Sequence, residues 1–256
     1  MDGFLEAMKK MIHRQNKVVL HIIGSLSGGP ARVLVGIIQN SEVGYSNVVL
    51  SLSDQSTEQE IKSLLIEKGT NLFMVSRRFK IDSGILKEIL RIRKKFNPDV
   101  VISYDFSSGI AGFIATFSRK TVWFACVRGL ETAFVWWRVM VLKIIFRSSS
   151  KIIVPSLAVK RKLMKYKVSK EDKVLVIPNG VRIYEKRKKA KLSKNRFRIV
   201  CLANFYSEVK GQNYAVEALR LLPKEYELSF FGDGEKLILV SKLVRDYSIE
   251  NRVSFL

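Results

Sequence analysis

Gly28 and Gly29 stand just after the apolar run Val18–Ile23 and just before Pro30 and a helical pattern. Two adjacent glycines let the backbone take positive φ and let a ligand approach the chain closely. Pro30 suits a first helical position, where its missing N–H would have no intrahelical partner. The first helical turn beyond offers free N–H groups and a positive dipole end, a place for a phosphate or a sugar. Three further turns end apolar runs in the same manner. Pro178-Asn179-Gly180 follows Val174–Ile177, Lys210-Gly211 opens a helical pattern after Ile199–Ala203, and Gly232-Asp233-Gly234 follows Phe230-Phe231. Each is ordinary turn chemistry by itself.

These loops need strands and helices to hold them. Apolar runs predict strands at Val18–Ile23, Asn47–Leu52, Leu72–Val75, Val100–Ser103, Val122–Ala125, Ile152–Val154 and Val174–Ile177. Helical patterns at Ala31–Gln39, Glu58–Lys68, Ser83–Lys95, Gly109–Phe117, Trp136–Phe146 and Ala158–Lys165 fall between most of them. Such alternation predicts an α/β fold with a doubly wound parallel sheet. The Lys-rich stretch Arg182–Arg198 is too polar for a core and reads as an exposed linker. The alternation then restarts with strand Arg198–Ala203, helix Asn213–Leu221, strand Glu227–Phe231, helix Glu235–Tyr247 and strand Arg252–Leu256. The expected organisation is a Rossmann-like domain over 1–180, a basic linker over 181–196 and a partial second domain over 197–256. Three strands and two helices make about half of a Rossmann-like domain, since domains commonly run to about 100–150 residues. The chain is therefore expected to be C-terminally truncated, or half of a two-polypeptide assembly.

Among 256 residues the net charge is +22, and 16 Lys/Arg against three acids fall between Lys160 and Arg198. Such a field attracts polyanions, whether nucleic acid, an anionic membrane or a phosphorylated substrate. A solvated basic surface gives the same numbers. No helix-turn-helix, zinc-finger or RNP pattern accompanies the charge, so nucleic acid is not an expected partner. Cys126 and Cys201 are too far apart for a Cys-x-x-Cys site and read as free thiols of a reducing compartment. With only His13 and His21, a histidine metal site is not expected, and His21 reads as a strand residue. Asp2 and Glu6 occupy the place of a basic signal-peptide start. Ala133–Phe146 is too short to span a bilayer, and Arg138 and Lys143 interrupt it. As a helix it places Trp136, Trp137, Met140 and Ile144 near one face, suited to a bilayer interface. Packing of that face into a core is the commoner arrangement.

The glycine loop, the Pro-Asn-Gly turn, Lys210-Gly211 and the Gly232-Asp233-Gly234 turn, in this order and at these separations, resemble the family-4 retaining glycosyltransferases of the GT-B fold. The resemblance runs from about Val18 to Leu256. It implies two Rossmann-like domains facing across a cleft, the first taking the acceptor and the second a nucleotide-activated sugar. It implies no metal or other cofactor, because cations and helix N-termini stabilise the departing diphosphate where its charge develops. By the same resemblance Lys210 contacts the donor diphosphate, and Gly28 and Gly29 approach donor phosphate and acceptor. Gly232 and Gly234 lie near the nucleotide, with a purely structural tight turn as the equal alternative. Arg128 takes the place where many relatives carry an active-site histidine near the sugar. Asn179-Gly180 serves the crossover between domains.

Two departures from the family pattern bear on activity. Asn204-Phe205-Tyr206 stands where relatives place an arginine shortly before the lysine, with one extra residue before Lys210. Asn204 can hydrogen-bond a phosphate but cannot form a bidentate charged pair. The family's two glutamates, eight positions apart, which hold sugar and ribose, would lie beyond Leu256, and the chain alone is expected to bind donor poorly. The leading expectation is a hexosyl-type transferase of polysaccharide or glycolipid synthesis, impaired by truncation. Its acceptor would be lipid-linked or a saccharide, and its place the cytoplasm, peripheral to an anionic inner membrane face. The alternative is a non-catalytic remnant or binding subunit of a glycosyltransferase assembly.

Overall fold

The computed structural model describes residues 17–54, 57–75, 83–117, 121–128, 136–181, 196–206 and 208–256. The chain divides into two compact units, Met1–Ile183 and Tyr184–Leu256. Of the stretch 181–196 read as a linker, only Val181 and Arg196 are among the described residues; His13, Asp2 and Glu6 also lie outside them.

The first unit is built on seven strands: β1 (Lys17–Ile23), β2 (Tyr45–Ser51), β3 (Asn71–Met74), β4 (Val100–Ser103), β5 (Val122–Cys126), β6 (Lys151–Val154) and β7 (Val174–Val176). They form one parallel sheet in the order β3-β2-β1-β4-β5-β6-β7, with Ile22 of β1 level with Leu50 of β2 and Ser103 of β4. Helices α1 (Gly28–Gln39) and α2 (Gln59–Glu67) pack with Ile23 and Val49 in one core cluster. On the opposite face, α3 (Ser83–Phe96), α4 (Phe106–Thr116), α5 (Trp136–Ser148) and α6 (Leu157–Lys165) enclose Leu20, Ile22, Val48, Leu50 and Trp123. Burial on both faces explains why the strands read as near-continuous apolar runs rather than alternating ones.

Two helix starts fall three residues before the sequence expectation, and the others lie within two residues of it. α1 begins at Gly28, so Pro30 is its third residue rather than its first. Pro30 still falls within the turn whose N–H groups lack intrahelical acceptors, and its ring costs no bond there. α4 begins at Phe106, three residues earlier than the apolar pattern suggests. The Asp105 carboxylate accepts from the Ser108 amide at 2.9 Å, and the Asp105 amide donates to Ser108 Oγ at 2.8 Å. This reciprocal cap holds a first turn that apolar periodicity cannot see.

The second unit has β8 (Phe197–Leu202), a short 3-10 turn at Glu208–Lys210, α7 (Gln212–Leu221), β9 (Tyr226–Phe231), α8 (Leu237–Asp246) and β10 (Val253–Phe255). Its strands are parallel in the order β10-β9-β8. Phe205, Val216, Leu219, Leu228, Phe230, Val240 and Val244 form its core. β8 is an edge strand, and Phe197, Ile199, Val200 and Leu202 along it are all exposed. Among the described residues no helix is long and apolar enough to cross a membrane.

Candidate functional site

In the first unit the polar groups gather at the carboxyl ends of the strands. Strand order reverses between β1 and β4, and open parallel sheets bind ligands at that edge and that point. Gly24, one residue past β1, donates its amide to Asp105 Oδ2 at 2.6 Å, so the two sides of the switch point are tied directly together. Gly28 has φ +67°, a left-handed conformation that a side chain resists, and Gly29 faces open space. The Gly28 amide, expected to be free, donates instead to Glu58 Oε1 at 2.7 Å, while Glu58 Oε2 pairs with Arg32 Nη2 at 2.8 Å. A positive helix end attracts whichever anion is near, and here a carboxylate from the following loop takes that place.

Arg128 follows β5 at the same edge. Its Nη1 donates to Asn179 Oδ1 at 2.7 Å, and its guanidinium lies 5.4 Å from the centre of the Tyr104 ring. Its Nε is buried without a hydrogen-bond partner among the described residues. The two residues that the sequence assigns to separate tasks, sugar side and crossover, are therefore brought together. Tyr104 is fully buried and its hydroxyl is hydrogen-bonded to His21 Nδ1 at 2.9 Å; His21 Nε2 in turn meets Asn47 Oδ1 at 3.0 Å. Because Asn47 Oδ1 only accepts, Nε2 carries the proton and Nδ1 accepts from Tyr104. Burial lowers the His21 pKa to about 4, so this chain of groups is neutral. Burial likewise pushes the Cys126 thiol up to about 11, although the neighbouring Arg128 opposes the shift; the thiol is not a nucleophile at neutral pH.

The second unit gathers its loops at the same end of a parallel sheet. The turn after β9 lies against the loop after β8, backbone on backbone. Phe205 donates its amide to the Asp233 carbonyl at 2.6 Å, and Lys236 donates its amide to the Phe205 carbonyl at 2.9 Å. A Cβ on Gly232 would stand 2.6 Å from the Ala203 carbonyl oxygen, and one on Gly234 would stand 2.6 Å from the Phe205 carbonyl carbon. Both have φ near +140°. Close packing thus accounts for both glycines without a ligand, and it fixes the shape of the surface that Asn204 presents. Gln212, buried at the start of α7, donates to the Asn204 carbonyl at 3.0 Å and anchors the same loop.

Lys210 ends the 3-10 turn just before Gly211, is exposed, and makes no ion pair among the described residues. The neighbouring cation Lys236 is neutralised by Glu208 at 2.7 Å, a bond that also lowers the Glu208 pKa. Tyr206 donates to Asp233 Oδ1 at 3.2 Å, and that hydrogen bond raises the phenol pKa. Among the described residues the loop therefore carries one positive charge without an ion pair, Lys210, beside a run of backbone held by the glycine turn. Glu58, Asp105, Gln212 and Lys236 were not singled out in the sequence. Only Asp105 carries a local signal, the Asp-x-x-Ser spacing of its cap; the others act through partners 26 or more residues away, apart from Gln212. No group of three His, Cys, Asp or Glu side chains able to hold a cation occurs among the described residues.

Residues 27–184 match the model of Glycosyltransferase Family 4. Two Rossmann-type units with glycine-bearing loops at their strand ends define the same class, and the chain belongs to this family. HepE of Anabaena, solved with UDP and glucose, superposes with a TM-score of 0.76 at 18% identity, covering 94% of this chain and 69% of that one. The lipopolysaccharide outer core galactosyltransferase WaaB, in its apo form, gives 0.66 at 17% identity, covering 93% and 67%. Sucrose-phosphate synthase of Thermosynechococcus elongatus gives 0.73 at 16% identity, covering 94% and 70%. No curated protein sequence matches the chain. The fold is therefore GT-B-like, with a seven-stranded first sheet and a smaller second one.

Proposed function

We propose that this chain takes part in transfer of a hexosyl group from a nucleotide-sugar to a lipid-linked or saccharide acceptor in polysaccharide or glycolipid synthesis at the cytoplasmic face of a membrane. The family match over residues 27–184 carries this reading. HepE, whose structure holds UDP and glucose, makes UDP the first nucleotide to try.

In this reading Lys210 meets the diphosphate. Cleavage of the anomeric C–O bond leaves negative charge on the leaving oxygen, and a cation fixed beside it stabilises the transition state more than the ground state. Asn204 adds a neutral hydrogen bond to the same phosphates. Gly232 and Gly234 act by shaping the loop, with the nucleotide alongside. In the first unit Gly28 and Gly29 offer amides to donor phosphate or acceptor, which requires Glu58 to release the Gly28 N–H. Arg128, held by Asn179, orients a sugar hydroxyl or phosphate. The charge of the leaving group falls to side chains and helix ends rather than to a metal or organic cofactor.

Calorimetric titration with UDP tests the assignment. Lys210→Ala should weaken binding by about ten- to a hundredfold, since a hydrogen bond to a charged group contributes roughly 1.5–3 kcal/mol. The same affinity in both proteins would remove Lys210 from the site.

A further inference from the structure

α5 has two faces of unlike character. Leu142, Ile145 and Phe146 are buried in the core of the first unit, at 9%, 3% and 2% exposure. Trp137, Met140 and Ile144 point the other way, at 46%, 54% and 56%. Their spacing of three and then four residues sets them in one stripe along the helix. Lys143 and Arg147 are exposed on the same side, and α5 contains no acidic residue. The stripe continues onto α4. Phe106 meets the Trp137 ring edge-on at 6.2 Å, Arg138 lies over both rings, and Ile110 one turn further is 40% exposed. Three large apolar side chains each about half open to water on one short helix exceed what scattered surface residues require.

We infer that this outer face of α5 is a docking surface for an anionic lipid bilayer, with Trp137, Met140 and Ile144 entering the headgroup–acyl boundary and Lys143 and Arg147 meeting lipid phosphates. Charge selects this occupant. A basic helix with a tryptophan at one end and no acids complements an anionic interface. A second copy docked face to face would set Lys143 and Arg147 against their own kind. α4 and α5 both start at the carboxyl end of the sheet, so the stripe begins at the edge that carries Asp105 and Arg128. A lipid-borne acceptor would reach that edge without leaving the bilayer. This last step rests on the transferase reading; the docking itself does not.

Flotation of the full chain with vesicles tests the surface. Recovery should be high with phosphatidylcholine mixed with phosphatidylglycerol and low with phosphatidylcholine alone. The triple variant Trp137→Ser, Met140→Ser, Ile144→Ser alters exposed positions only, and it should reduce anionic recovery about tenfold or more, as should Lys143→Gln with Arg147→Gln. Equal recovery of wild type and triple variant would overturn the inference, and so would a wild-type dimer in sedimentation that the triple variant loses. Titration with UDP runs alongside on the same proteins. A wild type that binds UDP but does not float with anionic vesicles overturns only the docking surface, whereas a wild type that floats but does not bind UDP overturns only the transferase reading.

Discussion

At the scale of single residues, His21 gives the first unit a pH dependence whose direction follows from its burial. Its pKa falls from 6.5 in the unfolded chain to about 4 in the folded one, so between these values the unfolded state binds the proton and the native state does not. The neutral histidine's contribution is whole above about pH 6.5 and is lost as pH falls toward 4, to a total of roughly 3 kcal/mol at about 1.4 kcal/mol per unit. Urea unfolding at pH 7 and pH 5 should show the loss, and His21→Gln should flatten that part of the profile. The glycines separate by the same kind of reasoning. Gly234→Ala must push against the backbone of Phe205 from a left-handed φ, and should cost the second unit about 2 kcal/mol or more in thermal unfolding. Gly29→Ala meets nothing and should leave stability within about 0.5 kcal/mol, so any lost nucleotide affinity there reports on the site. Residue types in the sequence marked both glycine turns equally. Only the folded structure separates the turn packed against backbone from the turn left open.

At the scale of elements, the glycine loop and the segment before α2 act as a pair. Glu58 closes the Gly28 amide and holds Arg32, so an incoming phosphate must compete with a carboxylate already in place. Glu58→Gln keeps a hydrogen-bond acceptor but removes the charge, and should raise UDP affinity several-fold in calorimetry if the amide belongs to the phosphate site. An affinity unchanged by this substitution would place the nucleotide elsewhere. The strands and helices themselves were legible in the sequence, because two-sided burial writes long Val/Ile/Leu runs and helices write a 3.6-residue period. The start of α4 was not, since a cap made by Asp105 and Ser108 leaves no apolar trace. Nor was the Glu58 clip, which joins residues 30 apart and depends on which loops the sheet order makes neighbours. The stripe of Trp137, Met140 and Ile144 was visible as a helical pattern, but a pattern does not say which face the sheet covers. Leu142, Ile145 and Phe146 decide that.

At the scale of the molecule, the second sheet repeats the first three strands of the first one. β10-β9-β8 has the order of β3-β2-β1, and among the described residues no strand pairs with the side of β8 that corresponds to the side of β1 taken by β4. A strand edge unpaired among the described residues, flanked by exposed Phe197, Ile199, Val200 and Leu202, is open to pairing with a further strand, and in the 256-residue chain on its own that strand can come from a second copy. Sedimentation velocity should show association that rises with concentration, and Val200→Lys should reduce it by placing charge on the edge. The first unit carries a different consequence of its winding. The Gly24–Asp105 bond spans 81 positions, and Asn179 lies 51 beyond the arginine it holds. Such long closures are slow to form. During synthesis the bond from Arg128 to Asn179 stays unmade until the seventh strand has cleared the ribosome, and until then only Tyr104 and Cys126, earlier in the chain, are there to meet the guanidinium.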